Sequence, residues 1–165
     1  ISGPTNLQVE KGINLIKVET ADEMFKATQN SLPVDVAIFS AAVSDFRAKV
    51  VSKEKIKKKD KLNLELENNP DIINYVSSHN SLRPKLVIGF AAETNNLEKY
   101  AIKKLNEKNC DWIIANDVSN KKIGFDSDFN EVSIFYKNHM NEKISYKTKS
   151  EISEEVVEKI INHLN

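Results

Sequence analysis

Two polar segments of this chain directly follow apolar runs, and these are the places where chemistry is expected. Residues 34–40 form one apolar run, and Ala41, Ala42 and Asp45 come just after it. Residues 85–90 form another, and a similar mixture of small and polar residues follows. Small residues let a ligand approach the main chain, and the Asp45 carboxylate accepts hydrogen bonds from a ribose or a base amine. The alternative is that both segments serve only tight packing and a turn.

Lysines form a second candidate group. Residues 49–61 are rich in lysine and include Lys55, while Lys104 and Lys108 stand four residues apart on one face of a predicted helix. Ammonium groups stabilise a polyphosphate, and each charge-assisted hydrogen bond is worth roughly 1.5–3 kcal/mol. A lysine run is more often a solvated surface, so the residues alone leave both interpretations open.

Asn69, Pro70 and Asp71 are typical of the start of a helix, with Asn69 as the N-cap and Pro70 at the first helical position. The free amides at such an end favour an anion, although most triplets of this kind are ordinary caps. Phe90 closes an apolar run and either packs on a nucleotide base or fills the core.

Composition argues against several classes of protein. Lysine and arginine together number 24, as do aspartate and glutamate, so the net charge is zero and gives no support for nucleic-acid binding. No apolar run reaches the roughly 18 residues of a membrane helix. The three histidines show no metal-ligand spacing, so no protein-only metal site is predicted. The single cysteine, Cys110, cannot form an internal disulfide, which fits a reducing, cytoplasmic compartment.

Hydrophobic periodicity predicts the elements that position these residues. Strands are predicted at residues 13–18, 34–40, 62–66, 85–90, 112–115, 131–136 and 143–147. Helices are predicted at residues 20–30, 70–79, 96–109 and 150–164, the first with a Thr20–Glu23 capping box and the last capped by Ser150. Strands alternating with helices predict an α/β fold. It is a mostly parallel sheet with helices on both faces and a late antiparallel pair of strands.

A resemblance to a known family rests on seven short segments that span nearly the whole chain. They are residues 2–4, 41–47 (AAVSDFR), 54–58 (EKIKK), 69–72 (NPDI), 89–94 (GFAAET), 115–119 (ANDVS) and 124–130. In this order and at this spacing they resemble the phosphopantothenate–cysteine ligases. The resemblance implies a Rossmann-like three-layer sandwich and one ligase domain over residues 1–165.

The resemblance also implies a two-step reaction. The carboxylate of 4′-phosphopantothenate attacks the α-phosphate of CTP, giving an acyl cytidylate and pyrophosphate. The amine of L-cysteine then attacks the activated carbonyl and releases CMP. A Mg²⁺ ion is expected to accompany the triphosphate rather than to occupy an all-protein cage. By analogy, Lys55 is the catalytic lysine, which stabilises charge developing at the α-phosphate.

The remaining site residues are carried over from the resemblance as nucleotide contacts. Together with Lys55 they are Phe39, Ala41, Ala42, Asp45, Asn69, Pro70, Asp71, Ile72, Phe90, Lys104 and Lys108. Members of the family begin with a strand, a glycine-rich turn, a first helix and an Asn-x-Ser-Ser-Gly segment, whereas this chain starts at residues that follow those elements. We therefore expect this piece to be unable to complete catalysis alone. FMN is expected only if a decarboxylase domain lies upstream.

Two other functions remain open on the residues. A dinucleotide oxidoreductase would suit the same fold, although no G-x-G-x-x-G motif occurs in these residues. A non-catalytic interaction domain would expose an apolar face on the sheet edge. The family resemblance further implies a homodimer, and the late strands at residues 131–136 and 143–147 could supply its edge-strand interface.

Overall fold

The computed structural model describes residues 1–52, 54–57, 63–119 and 127–165. In chain order the elements are α1 (Ala21–Ser31), β1 (Val36–Phe39), β2 (Phe46–Ala48), β3 (Leu66–Asn68), α2 (Ile72–Ser77), β4 (Leu86–Glu93), α3 (Leu97–Glu107), β5 (Trp112–Asp117), β6 (Phe129–Tyr136), β7 (Asn141–Thr148) and α4 (Lys149–Leu164). These residues form two compact units. The first comprises Ile1–Leu32 and Ala41–Ile72, and the second comprises Pro33–Ser40 and Ile73–Asn165.

The second unit contains a five-stranded sheet with the order β1-β4-β5-β6-β7. β1, β4 and β5 are parallel, and β6 and β7 continue the sheet in antiparallel fashion. β4 and β5 are joined by α3, and β1 is joined to β4 by a longer segment that contains β2, β3 and α2. β6 and β7 form a hairpin, as short antiparallel connections allow. The predicted α/β fold and its late antiparallel pair of strands are therefore confirmed, in a sheet with two parallel and two antiparallel pairings.

Alternate residues of β4 and β5 build a core on each face of this sheet. Leu86, Ile88 and Ile114 belong to the cluster that receives Ile152, Val156 and Ile160 of α4. Val87, Ala91, Ile113 and Ala115 belong to the cluster that receives Ala101 and Leu105 of α3. Because strand side chains alternate between faces, continuous apolar runs are required where helices cover both sides.

Gly89, in the centre of β4, lies in closely packed surroundings on the α3 face. A Cβ there would lie 2.8 Å from Cδ1 of Ile113 and 2.9 Å from Cδ1 of Ile73. A side chain at this position would therefore have to displace the terminal methyl groups of Ile113 in β5 and Ile73 in α2.

The first unit contains α1 and a two-stranded antiparallel sheet of β2 and β3. The Thr20–Glu23 capping box is present at the start of α1, as predicted. The sequence patterns do not predict the β2–β3 pair, because β2 has only three residues and follows the small and polar residues after the first apolar run. Arg47 pairs with Glu67 across this sheet.

Several predicted boundaries are wrong. Residues 13–18 are not a strand, since only an isolated bridge between Ser2 and Lys17 forms there. The strand expected at residues 62–66 is instead Leu66–Asn68, and Leu62 lies outside the described residues. Thr148, not Ser150, caps α4, because its hydroxyl accepts from the Glu151 N–H while the Glu151 carboxylate accepts from the Thr148 N–H.

α2 also differs from the prediction. It begins at Ile72 and ends at Ser77, so Asn69 lies three residues before it rather than at its N-cap. The Asn69 side chain makes a different contact, described below.

Candidate functional site in two groups of residues

In the first unit, the two candidate segments around Asp45 and Asn69 are joined directly. The Asn69 N–H donates to the Asp45 carbonyl oxygen over 2.8 Å, and the Asn69 side-chain amide donates to the Ser44 carbonyl oxygen over 2.8 Å. The antiparallel pairing of Phe46 with Asn68 brings these segments together. The Asp45 side chain remains exposed.

The side-chain oxygen of Asn69 is buried and has no hydrogen-bond partner among the described residues. A buried acceptor without a partner loses its hydrogen bonds to water and gains none from the protein. Such groups are therefore rare in folded proteins unless a ligand or water satisfies them. An N–H or O–H group of a ligand would supply the missing donor. Pro70 is half-buried beside it, Asp71 is exposed and Ile72 is buried.

Arg47 braces the sheet that joins these segments. Its guanidinium forms ion pairs with Asp22 of α1 and with Glu67 of β3, the latter over 2.7 Å. The guanidinium donates hydrogen bonds to the carboxylates of Asp22 and Glu67, and these bonds, that to Asp22 having the larger effect, raise the pKa of Arg47 above its ordinary value. A planar guanidinium can serve two carboxylates at once, which suits it to connecting two elements.

Lys55 is exposed, as are the neighbouring residues 54, 56 and 57. Lys53 and residues 58–62 of the lysine-rich segment lie outside the described residues. Ala41 and Ala42 are also exposed. The Val43 N–H donates to the Ala41 carbonyl oxygen over 3.1 Å, which forms a tight turn after the small residues.

In the second unit, Lys104 reaches the main chain of β4. Its ammonium nitrogen donates to the Phe90 carbonyl oxygen over 2.8 Å. Phe39 packs partly buried against the cluster on the α3 face, so it shares that face with Lys104. Phe90 packs against the cluster on the α4 face instead. Of the two readings of Phe90, its ring therefore contributes to the core, and its contact with a nucleotide stays a prediction.

Lys108 lies one turn beyond Lys104, at the end of α3. α3 returns from the carboxyl end of β4 towards the start of β5. Lys108 therefore lies nearer the amino-terminal edge of the parallel strands than the edge where ligands usually bind in open α/β sheets. Its assignment to the nucleotide stays a prediction. Sequence spacing placed the two lysines on one face but did not fix their distances from the strand ends.

Two carboxylates lie at the carboxyl ends of the parallel strands. Both belong to the segments on which the family resemblance rests, but the resemblance gives them no individual role. Glu93 at the end of β4 is in register with Asp117 at the end of β5. The Ser119 hydroxyl and N–H donate to Asp117 over 2.6 and 2.9 Å, and they lower the pKa of that carboxyl below its ordinary value. Only the parallel pairing of β4 and β5 reveals that these side chains are neighbours.

Other candidate chemistry has a structural explanation or falls outside the described part of the chain. Cys110 is completely buried. Within the described ranges, no group of three or more His, Cys, Asp or Glu side chains is placed to hold a metal ion. None of the helices in that part of the chain is both long and apolar enough to cross a bilayer. Gly124 and Phe125 lie outside the described residues.

The comparisons with known proteins agree with this architecture. A family profile described as "DNA/pantothenate metabolism flavoprotein C-terminal domain" matches residues 1–164. The coenzyme A biosynthesis bifunctional protein CoaBC of Haemophilus influenzae is 42% identical over 163 residues, which cover 98% of this chain and 40% of that protein. CoaBC of Bacillus subtilis is 38% identical, over 97% of this chain and 40% of its own length. The chain thus spans about two fifths of these relatives.

Solved structures give the same result. The crystal structure of the C-terminal domain of a CoaBC protein superposes with a TM-score of 0.76 and 35% identity, over 98% of this chain and 71% of that one. A complex of the Cab2 mutant H337A with phosphopantothenate-cysteine superposes with a TM-score of 0.67 over 90% of this chain and 51% of that one. Its identity is 15%, so it supports the fold alone.

The sheet order and the two covered faces define a Rossmann-like α/β protein. Within that class, the match over residues 1–164 shows that the chain belongs to the DNA/pantothenate metabolism flavoprotein C-terminal domain family.

Proposed function

We propose that this chain carries the nucleotide-using chemistry of a phosphopantothenate–cysteine ligase in coenzyme A biosynthesis. The 4′-phosphopantothenate carboxylate attacks the α-phosphate of CTP and displaces pyrophosphate. The L-cysteine amine then attacks the acyl carbonyl, loses a proton and displaces CMP. Both the 35% identity to a CoaBC C-terminal domain and the relatives' name as coenzyme A biosynthesis proteins support this assignment.

The observation that carries the nucleotide part of the proposal is the environment of Asn69. Its buried side-chain oxygen lacks a donor among the described residues, while its N–H and its amide group hold the Asp45 segment. A cytosine amine or a ribose hydroxyl would satisfy that oxygen, and the exposed Asp45 carboxylate would accept from the same kind of group. Residues 41, 42 and 70–72 would contact the nucleotide through their main chain.

Lysines would supply the charge that a triphosphate requires. Lys104 and Lys108 would bind phosphate oxygens from α3. Lys55 would stabilise the α-phosphate as negative charge develops on it in the first step, which is transition-state stabilisation by a positioned cation. Mg²⁺ would be held chiefly by the triphosphate, because Mg²⁺ in nucleotide sites normally keeps waters and takes few protein ligands. When bound, the Mg²⁺ ion would offset the negative charge of the phosphate groups.

The direct test uses the full-length protein with 4′-phosphopantothenate, L-cysteine, Mg²⁺ and either CTP or ATP. We expect stoichiometric pyrophosphate and CMP, with phosphopantothenoylcysteine identified by mass spectrometry. Stabilisation by NADH with no response to CTP would instead favour a dinucleotide oxidoreductase. No effect of any nucleotide on activity or melting temperature would favour an interaction domain.

We also propose a homodimer and a cytoplasmic location. β7 forms one edge of the five-stranded sheet. The ring of Tyr146 in β7 stacks on that of Phe129 in β6, and these residues are 54% and 41% exposed. An edge strand that has no further strand beside it among the described residues, together with exposed aromatic rings, suits contact between two copies. Sedimentation of the intact protein as a monomer at micromolar concentration would contradict the dimer.

A further inference from the structure

Ser77 is the last residue of α2. Among the residues that the structure describes, it is the one polar residue that is buried, with an exposure of 0%. The proposed chemistry does not use it. Its hydroxyl donates to the Lys108 carbonyl oxygen over 2.5 Å. Carbonyl groups at the end of a helix lack partners within the helix, so this bond satisfies one of the free acceptors of α3.

The main chain of Ser77 makes two more contacts to the same region. Its carbonyl oxygen accepts from the Arg83 Nε over 2.7 Å and from the Asn109 side-chain amide over 2.9 Å. Arg83 also donates to the Asn109 carbonyl oxygen and, over 3.0 Å, to both carboxylate oxygens of Asp111. We refer to Ser77, Arg83, Asn109 and Asp111 as the α3 clamp.

The α3 clamp fixes the connection from α3 to β5. Asn109 has a left-handed backbone with φ of 48°, which asparagine tolerates better than most residues. Asp111 is tied to β4, because its carboxylate accepts from the Val87 N–H and its own N–H donates to the Val87 carbonyl oxygen. The end of α3 is therefore bonded both to α2 and to the start of β4.

We propose that Ser77 is a positioning residue for nucleotide binding, which holds the last turn of α3 so that Lys104, one turn earlier, is ordered before a triphosphate arrives. This inference rests on the proposed function. Lys108 carries the very carbonyl that Ser77 holds, and Lys104 lies one turn earlier with its ammonium on the Phe90 carbonyl. Groups ordered in advance lose less entropy on binding, so their ligand binds more tightly.

The test is steady-state kinetics of the full-length protein with Ser77→Ala. The KM for CTP should rise about 3- to 10-fold, the range expected for loss of one buried hydrogen bond that orders a binding group. The KM for L-cysteine should stay within about twofold of wild type, because cysteine reacts after pyrophosphate has left. A general loss of structure would raise both constants or lower only the amount of active protein.

Val76→Ala is the matched control. Val76 precedes Ser77, is also completely buried and has no polar atom in its side chain. Its truncation therefore weakens packing and leaves the hydrogen bonds of the α3 clamp intact. We expect a lower melting temperature with an unchanged KM for CTP. An equal rise of this KM in Val76→Ala and Ser77→Ala would overturn the inference.

If Ser77→Ala does not fold, Asn109→Gly decides the question. Glycine accepts the left-handed backbone but removes the amide that donates to Ser77, so the KM for CTP should again rise selectively. A KM for CTP equal to that of wild type would overturn the inference about Ser77 and leave the proposed function standing. Absence of CTP-dependent pyrophosphate release in wild type would overturn the proposed function and the inference with it.

Discussion

The ammonium nitrogen of Lys104 lies 2.8 Å from the main-chain oxygen of Phe90. A helix residue is thus bonded to a central strand by its charged tip, while the stem of the side chain crosses the α3 face of the sheet. The bond gives this lysine a fixed position that an exposed lysine on the same helix does not have. A cation that already has a fixed position loses less conformational entropy when it binds a ligand than a mobile one does.

Lys104→Met should weaken CTP binding, because it removes a positioned cation but keeps most of the aliphatic stem. We expect the KM for CTP to rise by at least about tenfold, corresponding to roughly 1.4 kcal/mol of lost binding. Lys103→Met is the control, since Lys103 is exposed and pairs over 3.7 Å with Glu107 on the same helix. Equal kinetic constants for wild type and Lys104→Met would contradict the role of Lys104.

Lys55→Gln should abolish pyrophosphate release by the full-length enzyme while leaving CTP-induced thermal stabilisation largely intact. Glutamine keeps a polar side chain of similar reach but loses the charge that the transition state requires. Pyrophosphate release with phosphopantothenate and CTP, measured before cysteine is added, isolates the first step. Lys57→Gln changes another exposed lysine of the same segment and should retain activity. Unchanged release in Lys55→Gln would refute the assignment.

Gly89→Ala should destabilise the protein by about 1–3 kcal/mol through overpacking, because its methyl group would meet the Cδ1 atoms of Ile113 and Ile73. Adding Ile113→Val removes one of these methyl groups. The double variant should then lose less stability than the sum of the single changes, as urea unfolding can measure. Strict additivity would argue against the contact. Gly3→Ala, with no atom within 4 Å of the new methyl group, should be close to neutral.

The stability of α4 should depend on pH through its capping box. Hydrogen bonds from the Thr148 hydroxyl and then the Thr148 N–H lower the pKa of Glu151 below its ordinary value of 4.5. Since this pKa is lower in the folded state, the cap stabilises the fold fully above about pH 4.5 and is lost as the pH falls through the folded-state value.

Thr148→Val should therefore make the loss of unfolding free energy in acid less steep than in wild type. Urea unfolding between roughly pH 7 and pH 3 measures this slope. Ser150→Ala is the control, because Ser150 lies within α4 and does not cap it. If Ser150→Ala flattened the slope and Thr148→Val did not, the observed cap would be wrong.

Local sequence patterns determined much of this protein. The continuous apolar runs of β4 and β5 required a sheet covered on both faces, and the Thr20–Glu23 pair fixed the start of α1, because each of these signals depends on neighbours in the chain. The family resemblance likewise rested on short segments. The cap of α4 was also present as a local signal, because Thr148 is followed three residues later by Glu151, whereas Ser150 is followed at that spacing by Ser153.

Only the tertiary structure decided what each candidate residue touches. Asn69 was predicted to cap a helix, yet the pairing of β2 with β3 turns it towards Ser44 and Asp45. Phe90 and Lys104 are both candidate nucleotide contacts, but strand alternation directs the ring of Phe90 to the α4 face while Lys104 lies on the α3 face. These outcomes depend on hydrogen bonds between residues 14 to 25 positions apart, and such distant pairings follow from sheet register and helix packing rather than from local preference.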